Sequence, residues 1–502
     1  MRTRHFAIAA GLLVLAACNF DITNDNQPTL DDLVKNPTRA KLSATATGLF
    51  AGARSGIQAL IWRLGSMGRE GINLSGNNQP DFIEPYFGPV VAGGSFGGTL
   101  WIDRYAHIRT VHIFLQALAS NGTASLPATE RLTASEVAGA RGVANTLKAL
   151  ALLYVVETRA SFGAPVDVDH PVDAAPPPFV REDSAYAYIV GVLNSAAADL
   201  AAGGSSFFFR VPPGLSAFAT PATFIRFNRA VAAKANVLRA TDATGCAGNP
   251  AACYGAAITA LGASFMNSAP ATFQNGAYFD FSTGPGDQTN NLSDPLNALT
   301  FFALQDNRVD ADTQPASGGA KDQRVLDKIA AAQDTQIALL GSIPIPGQLK
   351  FVLYFSNGQA DAGHSIPIIK NEELILLDAE AQWFAGGAGG KLQAINDLNN
   401  VRQNSGRLAA TTVTAASPDS TFVKALMYER RFSLLWEQGT RWIDARRFNR
   451  LGDIPPDIAP SFPAGPGRVP PIMPVPKGEC DARGLTASEV IPGVVTCRPP
   501  LT

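Results

Sequence analysis

The stretch that most constrains this chain lies between Ala134 and Ala160. Val143, Leu147, Leu150 and Tyr154 recur at steps of four, three and four and so line one face of an α-helix. Leu152, Leu153 and Val155 make the other faces apolar too, which predicts a helix buried on most sides. Phe162-Gly163-Ala164-Pro165 stops it. A further helix is expected from Pro221 to Ala240, with Phe227, Val231, Ala235 and Leu238 on one side. Glu372 to Phe384 and Leu392 to Arg402 read as a helix hairpin turned by the glycines from Gly386 to Gly390, and Phe422 to Trp436 with Arg441 to Arg450 as another pair around Gly439. Between these lie long segments rich in Gly, Pro, Asn and Ser, few of which show the strict alternation of strands. The pattern predicts a mainly helical chain with large loops, extended and irregular in the proline-rich region beyond Leu451, and no 34-residue repeat is visible in the letters.

The N-terminus reads as an export signal. Arg2 and Arg4 precede the apolar run Phe6 to Ala17, which is too short for a mature transmembrane helix of about 20 residues. Leu15-Ala16-Ala17-Cys18 resembles the bacterial lipobox, in which the cysteine is lipidated and becomes the mature N-terminus. The plainer alternative is an ordinary secretory signal that contains a cysteine. More than one acyl chain, at about 0.8 kcal/mol per buried methylene, anchors a protein without a membrane-spanning helix. Residues 1–17 are thus expected to be a signal peptide and 18–41 a lipidated, flexible tether, with packed structure starting near Leu42.

A net charge of -2 gives no reason to expect a nucleic acid as partner, and the 46% of hydrophobic residues is ample for a large core. With Cys18 set aside, four cysteines remain, an even number that suits two disulfides in an oxidising compartment. Four cysteines allow three connectivities; the local pairs Cys246 with Cys253 and Cys480 with Cys497 are favoured, as staples for irregular loops.

Four segments, in order, resemble the SusD/RagB family of surface lipoproteins. The first is Trp101-Ile102-Asp103-Arg104-Tyr105 leading to Ile108 and Leu115. The second runs from Ala140-Arg141 through Leu147, Ala149, Leu150 and Tyr154 to Phe162-Gly163-Ala164-Pro165. The third is Ile366-Pro367-Ile368-Ile369-Lys370 with Glu373-Leu374, Asp378 to Ala381, and Ala394, Ile395, Asn396, Val401 and Arg402 in the partner helix. The fourth and most specific is Glu429-Arg430-Arg431, Leu434, Trp436-Glu437 and Gly439-Thr440-Arg441-Trp442-Ile443-Asp444-Ala445-Arg446-Arg447.

The resemblance implies one SusD-like domain over residues 42–502: helix pairs similar to tetratricopeptide units, decorated by long irregular loops. It implies binding without catalysis, capture of an oligosaccharide, peptide or other nutrient, and delivery to a TonB-dependent, SusC-like outer-membrane transporter. The implied place is the outer membrane, lipid-anchored and facing the exterior. The tail after Cys18 lacks the acidic run that often marks surface export in relatives, with only Asp21 and Asp25. The loops Asn73 to Gly98 and Gly262 to Lys350 match no part of the family pattern.

Arg430, Arg431, Arg441, Arg446, Arg447 and Arg450 are interleaved with Glu429, Glu437 and Asp444, which predicts a structural ion network rather than a phosphate site. Gly93-Gly94-Ser95-Phe96-Gly97 fits the G-x-S-x-G elbow of serine hydrolases, so an anchored hydrolase using Ser95 is the alternative function, but a flexible glycine loop explains the match more simply. A structural surface lipoprotein without a soluble ligand is a third reading. His107 and His112 are spaced one residue away from the i, i+4 of helical metal ligands. Asp167, Asp169 and Asp173, and Asp306, Asp310 and Asp312, offer oxygens of the kind calcium takes but do not follow the EF-hand pattern. No metal or cofactor is expected beyond the lipid on Cys18.

Sugars are held by flat aromatic faces and a few directed polar groups. The segment Asn73 to Phe87 supplies Asn73, Asn78, Asp81, Tyr86 and Phe87 as the leading ligand-binding candidates. A second candidate is Phe273 to Phe281, with Gln274, Asn275, Tyr278 and Asp280.

Overall fold

The computed structural model describes residues 30–77, 79–122, 125–169, 174–242, 244–455 and 469–502. Its helices include α1 (Arg39–Arg54), α2 (Ile57–Met67), α3 (Pro80–Phe87), α4 (Thr99–Asn121), α5 (Ala134–Arg159), α6 (Glu182–Ala201), α7 (Pro221–Ala240), α8 (Pro250–Gly262), α9 (Asn371–Ala385), α10 (Gly387–Asn404), α11 (Asp419–Ser433) and α12 (Thr440–Arg447). Consecutive helices from α4 to α10 pack on one another, α4 on α5, α5 on α6 and so on, and α11 closes on α9. This is the expected helical scaffold of stacked pairs.

Helix α5 is the axis of the stack. Thr133 and Glu136 form a reciprocal capping box at its start, which satisfies amide groups that the first turn leaves open. Twenty of its 26 residues are buried, so it is surrounded on most sides, as its apolar faces require. At its C-terminal end Gly163 takes φ +67, and a Cβ there would run into the Val180 carbonyl. Ala164 bridges Val180 at this point, which turns the chain toward α6.

Packed structure begins earlier than Leu42. Leu30–Lys35 is helical, Leu33 is buried, and α1 starts at Arg39 behind Thr38, whose side chain accepts the Lys41 amide. Cys18 and the rest of residues 1–29 lie outside the described residues. The hairpin α9–α10 also differs in detail, because Ala388–Gly390 already belong to α10 and the turn is made at Gly386 and Gly387, the latter at φ +62.

The segment from Gly262 to Lys350 is not all loop. Strands β1 (Gly71–Asn73), β3 (Phe301–Ala303), β4 (Ile329–Leu340) and β5 (Ile343–Phe351) form an antiparallel sheet in the order β1-β3-β5-β4. Ala338 and Ile345 are buried in a small core with Ile72, Leu74, Tyr86 and Phe302. Strand β2 (Gly276–Phe279) pairs with β6 (Ile366–Lys370), with a register shift between Ala277 and Tyr278.

The Arg-rich motif is buried or half-buried. Arg430 Nε lies 2.7 Å and Arg447 Nε 2.8 Å from the Asp444 carboxylate, and Arg447 Nη2 donates to Glu380 at 2.7 Å. Glu429 takes Arg402 at 2.8 Å and Arg324 at 2.7 Å. Trp436, at φ +59, stacks on Phe351 with ring centroids 4.1 Å apart. These contacts tie α11 and α12 to α9, α10 and the sheet. The staples also form: Cys246 is bonded to Cys253 and Cys480 to Cys497.

Candidate functional site

Strand β2 alternates Ala277 and Phe279, both buried, with Tyr278 and then Asp280, both half-buried. The buried pair holds the strand against the core, which leaves Tyr278 and Asp280 facing out. Two open cavities meet at Tyr278. One, of about 780 Å³, is lined by Ser216, Phe218, Arg226, Phe265, Asn275 and Asp280 among others. The other, of about 560 Å³, reaches from Tyr278 to Lys328, Lys370, Glu372, Arg407 and Glu437. Gln274, Tyr278 and Ser365 line both. Each volume falls in the range of small-ligand sites, about 300–1,000 Å³.

The polar groups are held in place by neighbours. Asp280 Oδ2 accepts the Gly214 amide at 2.6 Å, and its Oδ1 accepts the Ser365 hydroxyl at 3.3 Å. The Tyr278 hydroxyl donates to the Gln274 carbonyl. Burial raises the Tyr278 pKa, so the phenol stays neutral and keeps one flat face and one polar edge. Lys328 and Lys370 both donate to Glu437 Oε1, each at 2.8 Å. Burial works against the charge on Glu437, but the two ammonium groups outweigh it and hold its pKa below the ordinary value. Burial also works against the Lys370 ammonium; Glu437 and Glu372 outweigh that and raise its pKa.

The leading sequence candidates lie elsewhere. Asn73 ends β1, is buried, and accepts the Ser75 amide at 2.9 Å. Asn78 lies outside the described residues. Asp81, half-buried in the first turn of α3, accepts the Ser95 hydroxyl and sits 3.8 Å from Arg63. Tyr86 is buried under the Arg69 guanidinium, 4.4 Å from its ring centre, and its hydroxyl donates to the Gly71 carbonyl. Phe87 packs half-buried on the small core beside it. Pro80 at the first helical position, with Asp81 in the first turn, makes this segment a helix whose aromatic side turns inward. None of the four described residues lines the two cavities.

Ser95 shares its hydrogen with a carboxylate, not an imidazole. Of the histidines, His107 is buried without a hydrogen-bond partner among the described residues, and its pKa is pushed down to about 3 by burial. His112 lies 2.8 Å from Asp169, and His364 bonds to the Ser365 carbonyl. Asp310 and Asp312 take Arg431 and Arg402 as partners. Among the described residues no group of three His, Cys, Asp or Glu is placed to hold a metal ion, and no helix is long and apolar enough to cross a membrane.

The sequence named Tyr278 and Asp280 for their chemistry, within the second candidate segment. Arg226, Ser365, Lys370 and Arg407 carried no such mark, since they reach the cavities from separate elements.

No family model matches this chain, and no curated protein does. Solved structures do. A SusD homolog from Bacteroides thetaiotaomicron matches with TM-score 0.63 at 13% identity, covering 91% of this chain and 98% of the other. A SusD-like carbohydrate-binding protein from Bacteroides fragilis matches with TM-score 0.62 at 15% identity, covering 90% and 99%. B. fragilis NanU matches with TM-score 0.61 at 12% identity, covering 95% and 100%.

Proposed function

Starting from the SusD-superfamily fold of this chain, we propose that it is a non-catalytic, lipid-anchored binding protein that captures oligosaccharide and passes it to a TonB-dependent, SusC-like transporter in the outer membrane. The observation that carries the ligand part is the half-buried Tyr278 between two open cavities, with Gln274, Asn275 and Ser365 around it. An aromatic face with amides and hydroxyls nearby suits the two surfaces of a sugar ring. The carbohydrate-binding neighbour on the same fold supports the same class of ligand.

Calorimetry of the detergent-solubilised full chain against a panel of neutral and charged oligosaccharides tests this. Binding to at least one glycan, weakened roughly tenfold by Tyr278→Ala as expected when a stacked aromatic is lost, supports it. Glycan binding that Tyr278→Ala leaves unchanged removes this site. For the anchor, palmitate labelling in an expressing bacterium should be lost in Cys18→Ser; labelling that persists excludes Cys18 as the lipidated residue. Co-purification with a barrel transporter tests the partner.

A further inference from the structure

Resting on the oligosaccharide reading of this site, we infer that its ligand is acidic: a saccharide chain with anionic substituents, carboxylate or sulfate, on units either side of Tyr278. The joined cavities are lined by the cations Arg226, Arg324, Lys328, Lys370 and Arg407 and by the carboxylates of Asp280, Asp327, Glu372 and Glu437. The balance is positive by one charge, and it is unevenly spent. Every one of those carboxylates already accepts a proton donor from the protein: Asp280 from Gly214 and Ser365, Asp327 from Gln323 at 2.8 Å, Glu372 from Ser433 at 2.8 Å, Glu437 from its two lysines. Arg324 is fully engaged with Asp322 and Glu429. Arg226 and Arg407 are different. Both are exposed, and neither makes a hydrogen bond, ion pair or ring contact among the described residues.

Arg226 lines only the larger cavity and Arg407 only the smaller, so the free guanidinium groups flank the wall that Tyr278 forms between them. Arg407 carries a second mark. Its φ is +59, a region that a residue with a Cβ occupies at some cost and that recurs where a side chain is held for a ligand. The backbone on both sides is pinned: the Gln323 amide donates to the Gly406 carbonyl at 3.0 Å, and the buried Leu408 donates to the Arg402 carbonyl at 3.2 Å. A pinned loop thus presents an unpaired planar fork at the cavity rim. A guanidinium fork matches a carboxylate or sulfate in two-point geometry, which a neutral hydroxyl does not reproduce.

The test is calorimetry of the detergent-solubilised full chain with oligogalacturonates, chondroitin sulfate oligosaccharides and malto-oligosaccharides of equal length. An acidic probe should bind at least about tenfold more tightly than the neutral one, less so at high salt, and Arg226→Ala and Arg407→Ala should each lose roughly tenfold. Preference for the galacturonate assigns the substituent as carboxylate, and preference for the sulfated probe as sulfate. Arg407→Gly guards against a folding artefact, because glycine relieves the positive φ: binding should fall while the melting temperature holds or rises. Equal binding of the neutral chains, with both arginine variants unaffected, overturns the acidic-ligand inference and leaves saccharide capture standing. No binding by any of the three classes removes both.

Discussion

Replacing Asp444 with Asn tests the reading of the Arg-rich motif as a buried ion network. Asp444 is 1% exposed, and its two oxygens take Arg430 at 2.7 Å and Arg447 at 2.8 Å. Arg447 keeps Glu380 in the variant. Arg430, itself 1% exposed, does not: its Nη1 is already unpaired among the described residues, and Asp444 is its ion-pair partner. An amide in place of the carboxylate therefore leaves a buried guanidinium charge without its ion-pair partner. Removing one partner of a buried pair costs about 3–5 kcal/mol, a large share of a total stability of about 5–15 kcal/mol. At roughly 1 °C per kcal/mol for a chain of this length, the melting temperature should fall by about 3–5 °C. Burial opposes the Asp444 charge, but Arg430 and Arg447 outweigh it and hold its pKa below the ordinary value. The stabilisation is thus present above the unfolded carboxylate pKa of about 3.9 and lost as pH falls through the lower folded value. Urea titrations of both proteins at neutral pH and near pH 3 measure this: the gap should be wide at neutral pH and should narrow in acid. Adding Arg430→Met to the variant should recover part of the loss, because it removes the stranded charge. A loss below about 1 kcal/mol at neutral pH, or no recovery in the double variant, would refute the network reading.

A second prediction concerns the acid pair Asp378 and Asp397 between α9 and α10. Burial first, and then the Asp378 charge, push Asp397 up to about 8. The folded state therefore holds a proton that the unfolded chain releases near pH 4, so stability falls as pH rises from there through about 8. Asp397→Asn should flatten melting temperature against pH between 5 and 9 and should be the more stable protein at the alkaline end; an unchanged slope counts against the shared proton. The third prediction is that Cys480→Ser with Cys497→Ser, which opens a loop with sequence separation 17, costs about 3 kcal/mol in urea titrations on chain-entropy grounds. A loss near zero would mean that the staple constrains nothing in the unfolded chain.

Much of the scaffold was legible because helices are local objects. The spacing of Val143, Leu147, Leu150 and Tyr154, and the stop at Phe162 to Pro165, depend on neighbours within a turn or two. The role of the Arg-rich motif was legible for a related reason: acids and arginines lie close together in the chain, and Asp444 meets Arg447 three positions on. The sheet was not legible. Strand β4 reads Ile329-Ala330-Ala331-Ala332-Gln333, with no polar and apolar alternation, and it is a strand only because β5 pairs with it.

The ligand candidates divide along the same line. The sequence by itself established which residues have the chemistry to hold a sugar, in both Asn73 to Phe87 and Phe273 to Phe281. It also pointed to the helical class and favoured the local cysteine pairs. Only the tertiary structure decided that Tyr86 turns inward under Arg69 while Tyr278 stands at the meeting of two cavities. It alone brought Arg226 from α7 and Arg407 from beyond α10 to the two sides of that tyrosine. The physical reason is that a helix is set by contacts a few residues apart, whereas a cavity is the space left where distant elements pack, and no local pattern records which side chains border that space.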